Sequence, residues 1–269
     1  MGIIMKKIII SSIILLCVFG VMTGCKKGGA ASGDVSSDQN VERIVENQTQ
    51  YISDWSAVLY VNESEVGTDY KKLANDKYII LYFGSKVTVK SEKTIGKKVY
   101  YRVQLPDTTE YFAEKKLFAE KFIVINKEHV STYSQPDLDY VTSLKLEPGD
   151  FGIYKKELNG WIQVDFYAYR SVKEDGDRKW VGTKWIQDGW TEDITCAKQA
   201  YYLYLATYNE LQKNNKDKAL EMLAKADEAT DNAETEISYV LNEMYVRLTQ
   251  AEADAEAQAE PPADNADNE

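Results

Sequence analysis

Histidine is nearly absent from this chain of 269 residues: only His129 carries an imidazole. Ser/His/Asp and Cys/His nucleophile systems would all have to use it. Zinc normally takes three or four His, Cys or acidic ligands, and no His-based set exists here. His129 stands before a strand pattern, away from any pair of acids or cysteines at ligand spacing, and reads as a surface residue. There is no Gly-x-Ser-x-Gly elbow and no Walker or dinucleotide fingerprint, so no cofactor and no metal are expected. Basic charge is also short, with a formal net charge of -11, a sign that disfavours nucleic acid as a partner. Acids are plentiful, and a glycosidase needs only two carboxylates, so a hydrolase built on carboxylates alone stays open. Glu174, Asp175 and Asp177 cluster, but a calcium loop needs acids at several alternating positions and a distant Glu; a hairpin turn fits better. Long hydrophobic runs are confined to Ile8 to Val21, which is shorter than the roughly 20 residues of a spanning helix.

That run follows Lys6 and Lys7 and closes on Met22-Thr-Gly-Cys25, the layout of a secretory signal peptide. Met22-Thr23-Gly24-Cys25 resembles the lipobox of bacterial lipoproteins, with Met22 where Leu is usual. The resemblance implies that residues 1–24 are removed and that Cys25 carries diacylglycerol on its sulfur and a further acyl chain on its amine. Each buried methylene contributes about 0.8 kcal/mol, and stable anchoring takes two or more chains. A cleaved, soluble secreted protein is the alternative. On the lipoprotein reading Cys17 leaves with the signal peptide and Cys25 is consumed by lipid. Cys196 is then alone of the three cysteines, and no intrachain disulfide can form. Cys196 reads as a small packed residue, not a nucleophile. Residues 25–40 form the tether: Lys26 to Asn40 is rich in Gly, Ala, Ser and Asp and too poor in apolar side chains to order itself.

Val41, Ile44, Val45, Gln48 and Ile52 fall at helical spacing, so a short amphipathic helix is expected to lead into the first domain. From there the pattern is of short apolar runs between turn signals: Ala57 to Val61, Tyr78 to Tyr82, Lys86 to Val89, Val99 to Val103 and Tyr111-Phe112. A second series follows with Phe122 to Ile125, Val130 to Tyr133, Gly152 to Tyr154, Trp161 to Phe166 and Trp180 to Ile186. Such spacing argues for small barrels or sandwiches, and the order of turns and strands in the two series reads as a diverged internal repeat.

Val130-Ser-Thr-Tyr-Ser-Gln-Pro136, Leu146-Glu-Pro-Gly149, Gly160-Trp-Ile-Gln-Val164 and Gly182-Thr-Lys-Trp-Ile186 follow one another in the second series. In that order they resemble the bacterial SH3-like domain over about Phe122 to Trp190. The first series resembles it less: Tyr100-Tyr-Arg-Val103 replaces the Gly-Trp strand, and an insertion falls around Val66 to Asp76. The resemblance implies two small SH3-like β-barrels in tandem, at 41–120 with the leading helix and at 121–192, and a binding role.

After Trp190 the period changes. Ile194 to Leu211, Ala219 to Ala226 and Ile237 to Leu248 carry helical patterns, broken at Asn214-Asn215 and Asp231-Asn232. Ala206 to Ala226 resembles a tetratricopeptide hairpin, though one such unit cannot bury its own face. The fold class is therefore mainly β with α, closing in a helical region at 193–250. The Ala/Glu stretch after Gln250 can extend the third helix until Pro261-Pro262 stops it. Seven acidic residues and no basic one occupy 251–269, assigned to a disordered acidic tail.

Four of the five tryptophans lie between Trp161 and Trp190. Alternation puts Ile162, Val164 and Phe166 on one face of a strand and Trp161, Gln163 and Asp165 on the other, so Trp161 lies at least partly outside the core. It likewise joins Val181 to Trp185 on one face unless Gly182 marks a bulge. Trp185 and Trp190 are positioned to seal the barrel and its junction with the helices. Tyr133, Tyr154, Trp161 and Trp185 are the candidate ligand-binding set, since aromatics bury large area at small entropic cost. The sequence thus reads as an envelope lipoprotein anchored through Cys25, periplasm-facing or at the cell surface. It is expected to be not an enzyme and to bind peptidoglycan or an envelope or host protein. The rivals are the carboxylate hydrolase and a structural adaptor with no small ligand.

Overall fold

The computed structural model describes residues 42–167 and 181–259. The signal peptide, the whole tether with Cys25, the acidic turn at Glu174 to Asp177, Trp180 and the tail beyond Ala259 lie outside the described residues. The first sheet comprises β1 (Glu42–Ile52), β2 (Ser56–Tyr60), β3 (Tyr78–Tyr82), β4 (Lys86–Ile95), β5 (Lys98–Gln104), β6 (Glu110–Glu114) and β7 (Phe118–Ala119). The second comprises β8 (Phe122–Ile125), β9 (Val130–Tyr133), β10 (Val141–Leu146), β11 (Phe151–Leu158), β12 (Trp161–Tyr167), β13 (Gly182–Ile186) and β14 (Trp190–Thr191). Three helices follow, α1 (Ile194–Lys213), α2 (Lys216–Glu228) and α3 (Ser238–Ala259). Among the described residues no helix is long and apolar enough to cross a membrane.

The strand orders are β3-β2-β6-β5-β4-β1-β7 and β10-β9-β13-β12-β11-β8-β14. Counted from its own first strand, each sheet reads 3-2-6-5-4-1-7, so the two halves are topological copies curled into half-barrels. The 61–77 connection between β2 and β3 holds three 3-10 turns, at Glu63–Glu65, Tyr70–Lys72 and Asn75–Lys77. The equivalent β9–β10 connection holds one, Leu138–Tyr140.

The expected leading helix is instead strand β1, whose register against β4 shifts between Ile44 and Gln48. Val45 and Ile52 both pack into the first sheet's core, although seven residues of regular strand would set them on opposite faces. The irregularity resets the parity, and the resulting i, i+7 spacing imitates a helix. At the other end α3 runs through Ala259, as expected of the Ala/Glu stretch ahead of Pro261-Pro262, because Ala and Glu are good helix formers; the helix takes up the first part of the 251–269 segment.

Each half-barrel encloses its own core. Leu59, Val87, Val89, Tyr101 and Val103 fill the first, and Ile123, Ile125, Leu146, Ile162, Val164, Phe166 and Ile186 the second. A third core joins the halves, with Phe83 and Ala119 from the first, Phe122, Val124 and Phe151 from the second, and the apolar faces of all three helices. At its centre Tyr201 of α1 stacks on Phe83, with centroids 4.1 Å apart and planes at 5°, while Phe83 also meets Phe122 at 4.6 Å. Burying each such side chain contributes about 1.5–3 kcal/mol. This is how the α1–α2 hairpin covers its apolar face without further repeats.

Local chemistry explains where the helices begin and end. Asp193 caps α1, its Oδ1 accepting from the N–H groups of Thr195 at 2.6 Å and Cys196 at 3.2 Å. Asn214 closes α1 in the left-handed region at φ 46, and Asn215 caps α2 through Lys218 N–H at 2.9 Å. Buried Gln199 ties α1 to the α2–α3 connection, donating to Ala233 O at 2.9 Å and accepting from Thr235.

Candidate functional site

The second sheet has two faces, and the outer one divides in half. Near the start of β11, Phe151 packs into the junction core beneath the helices, together with Ile153 and Tyr167. Toward the β11–β12 hairpin the same face carries a cross-strand row fixed by register. Val141 of β10 pairs with Tyr133 of β9, Tyr133 with Trp185 of β13, Trp185 with Gln163 of β12, and Gln163 with Lys156 of β11. Trp161 stands two residues along β12 from Gln163 and pairs with Leu158. The hairpin turn supplying this geometry is Asn159-Gly160, with φ 51 and 79, the type I′ combination that Asn-Gly favours.

Tyr133 meets Trp161 edge-on at 4.7 Å and 81°, and the Lys156 ammonium lies 5.4 Å from the Trp185 ring, within cation–π range. These neighbours leave Trp161 only 7% and Trp185 only 5% exposed, while the flanking Val141 and Leu158 are 54% and 48% exposed. The row is a tightly packed aromatic floor with apolar residues open at both ends.

The structure thus brings Tyr133, Trp161 and Trp185 together and leaves Tyr154 out. Tyr154 pairs with Val164 and packs on the barrel core, with Lys121 Nζ 4.6 Å above its ring; a register shift between Tyr154 and Lys156 separates it from the row's face. The strand parity argued for Trp161 gives its face correctly, but the side chain is buried there by its neighbours. Val181 and Trp185 do not share a face. Val181 belongs to the core, because the chain turns at Gly182, φ 67, the first residue of β13. Trp190, at the junction with α1, does pack on that core. Val141, Leu158 and Lys156 join the row without a signal in the sequence. Lys156 enters the row only through the β11 register shift, which no residue pattern announces.

The internal copy shows what the row is not. The β4–β5 and β11–β12 hairpins both turn through two residues, between Ile95 and Lys98 and between Leu158 and Trp161. Counted from those turns, Lys98 occupies the place of Trp161 and Tyr100 that of Gln163. Across the next strand pair, Glu114 faces Tyr100 as Trp185 faces Gln163. Where the second sheet has two tryptophans, the first therefore has an ion pair, with Lys98 Nζ 2.5 Å from Glu114 Oε1. Hydrogen bonds from Lys116 and Lys98 hold the Glu114 carboxyl below the usual carboxylate range.

His129 is 76% exposed at its side chain, and its Nδ1 lies 2.8 Å from Glu147. Cys196 is buried, and burial pushes its thiol upward. Among the described residues no group of three or more His, Cys, Asp or Glu side chains could hold a metal ion. A cavity of about 400 Å³ lies between the Pro148–Asp150 turn, Leu203 and Tyr204 of α1, and Val240 and Met244 of α3. On its wall Arg247 makes a bidentate pair with Glu210 of α1.

No protein family matches the chain, and no curated protein does. Among solved structures it is similar to a "putative autolysin from Listeria monocytogenes", at 11% identity and a TM-score of 0.21. The match covers 56% of this chain and 64% of that one, so this chain spans less than two thirds of its length. A likeness at that TM-score supports neither a shared fold nor a shared function.

Proposed function

We propose that this chain is a bacterial envelope lipoprotein, anchored through Cys25, whose second half-barrel is an SH3-like domain that binds a wall peptide or protein without catalysis. The observation that carries the reading is the contrast between the two topological copies. The same strand order closes with Lys98 and Glu114 in one and with Trp161 and Trp185 in the other, so barrel closure does not require the aromatics. Neither tryptophan belongs to the barrel core. An aromatic floor flanked by exposed apolar residues, here Val141 and Leu158, suits a site where a ligand supplies the remaining cover, and Lys156 over Trp185 is an exposed side chain that a ligand can displace. The first half-barrel then serves as a rigid neighbour, held through Phe83 and the tetratricopeptide-like helices.

Co-sedimentation of the purified protein with peptidoglycan sacculi tests this. Val141→Ser and Leu158→Ser change exposed side chains and leave folding intact; both are expected to weaken retention, whereas Lys127→Ala, on an exposed loop, leaves it unchanged. Retention unaffected by either serine variant removes the row as the binding surface. Release of soluble muropeptides by the purified protein overturns the non-enzyme reading in favour of the carboxylate hydrolase. Cys25→Ser is expected to move the protein from the membrane to the soluble fraction, and unchanged partition rejects the anchor.

A further inference from the structure

We propose that β3 is an interface strand, pairing antiparallel with β3 of a second copy of this chain. β3 is an edge of the first sheet, bonded to β2 alone. The bonds Val61 N–H to Lys77 O, 3.0 Å, and Phe83 N–H to Trp55 O, 3.3 Å, fix the phase of that ladder. Antiparallel hydrogen-bonded pairs alternate with non-bonded ones, so Ile79 and Leu81 bond to β2. The N–H and C=O of Tyr78 and Ile80 and the N–H of Tyr82 turn toward the open edge. Ile79 and Leu81 pack inward on the first core, while Ile80 and Tyr82 are 37% and 58% exposed.

Unprotected edges are templates for another strand, and proteins blunt them with charge, irregularity or shortness. Among the described residues the other outer strands of the two sheets are blunted. β10, the counterpart of β3, has a register shift and carries Lys145. β7 and β14 are two residues each. The stretch of β1 beyond β7, Glu42 to Gln50, carries Glu42 and Arg43 and a register shift between Ile44 and Gln48. β3 is five residues in unbroken register with no charged side chain.

The occupant follows from the strand's own sequence. Tyr78-Ile-Ile-Leu-Tyr82 reads nearly alike in both directions. Antiparallel pairing about Ile80 sets Ile80 against Ile80 and Tyr78 against Tyr82 on the outer face, and Ile79 against Leu81 on the inner. The Ile80 pair exchanges two N–H···O bonds, and each Tyr78 carbonyl receives a Tyr82 N–H. The arrangement is two-fold and isologous, the commonest closed assembly. It also brings no like charges opposite one another, which would be destabilising, on a chain whose net charge is -11.

The test uses the full chain in its native membranes. Directly opposed residues of a hydrogen-bonded pair have Cα atoms about 5.5 Å apart, within the span of a disulfide, roughly 4.4–6.8 Å. Ile80→Cys is expected to form a covalent dimer of twice the monomer mass under mild oxidation, while wild type and Ser143→Cys on the β10 edge do not. In sedimentation of the purified protein, Ile80→Lys is expected to weaken self-association by about tenfold or more, with its thermal unfolding unchanged. The proposal is overturned by cross-linking of Ile80→Cys no faster than Ser143→Cys, by a cross-linked species of any other mass, or by unaltered association of Ile80→Lys.

Discussion

Tyr201→Ala removes the ring on which both half-barrels and the helical region converge. Its side chain is buried and stacks on Phe83 at 4.1 Å; Phe151 stands edge-on at 6.0 Å. Truncating a buried aromatic to Ala costs about 3–5 kcal/mol, of which each lost ring pair accounts for roughly 0.5–1.5. For a folded unit of this size, 1 kcal/mol moves the melting temperature by about 2–4 °C, so a fall of about 6–20 °C is expected by calorimetry. Tyr201→Phe keeps the ring and loses only a hydroxyl that burial already holds strongly protonated; its expected loss is a small fraction of that. Near-UV circular dichroism should register the lost stack in the Ala variant alone. If Tyr201→Ala melts within about 2 °C of Tyr201→Phe, less than 1 kcal/mol by the same conversion, the junction core does not couple the halves as reasoned here.

Three further outcomes follow from individual residues. Gly149, at φ 88, would place a Cβ 2.5 Å from Leu203 Cδ2. Gly149→Ala should therefore destabilise by about 1–3 kcal/mol in urea unfolding, with Gly160→Ala, where a Cβ meets open space, costing less. Cys196, buried and with its thiol pushed upward, should resist a thiol reagent at pH 8 in the folded protein and react fully in denaturant. Glu114 is held below the ordinary carboxylate range of about 4.3. Its stabilisation is present above that value and lost as pH falls through its lower folded pKa, so Glu114→Gln should flatten the acid limb of the stability profile.

Much of this fold is legible from residue patterns because its strands bury one face. β3, β8, β9 and β12 announce themselves through apolar alternation or short apolar runs, and the helices through their period and their Asn breaks. Recognition fails where backbone irregularity breaks the period. β1 imitates a helix across its register shift, Val181 and Trp185 part at Gly182, and Tyr154 is carried off the row's face by the shift before Lys156. β10 is not legible in Val141-Thr-Ser-Leu-Lys-Leu146, where only Leu146 is buried and no regular apolar alternation marks a strand. Tyr133, Trp161 and Trp185 were identifiable as aromatics of a recurring turn-and-strand motif. Their meeting on one face depended on the β9–β13 pairing, which links segments far apart in sequence.

On the proposed function, the Tyr133–Trp161–Trp185 row binds a ligand and is not needed to close the barrel. The double variant Trp161→Lys and Trp185→Glu installs the first sheet's own solution at the equivalent positions. Sacculus co-sedimentation of this variant, run beside its thermal unfolding, is the decisive measurement. The expected result is a single cooperative unfolding transition with binding lost; wild-type binding by the double variant contradicts a ligand role for the row.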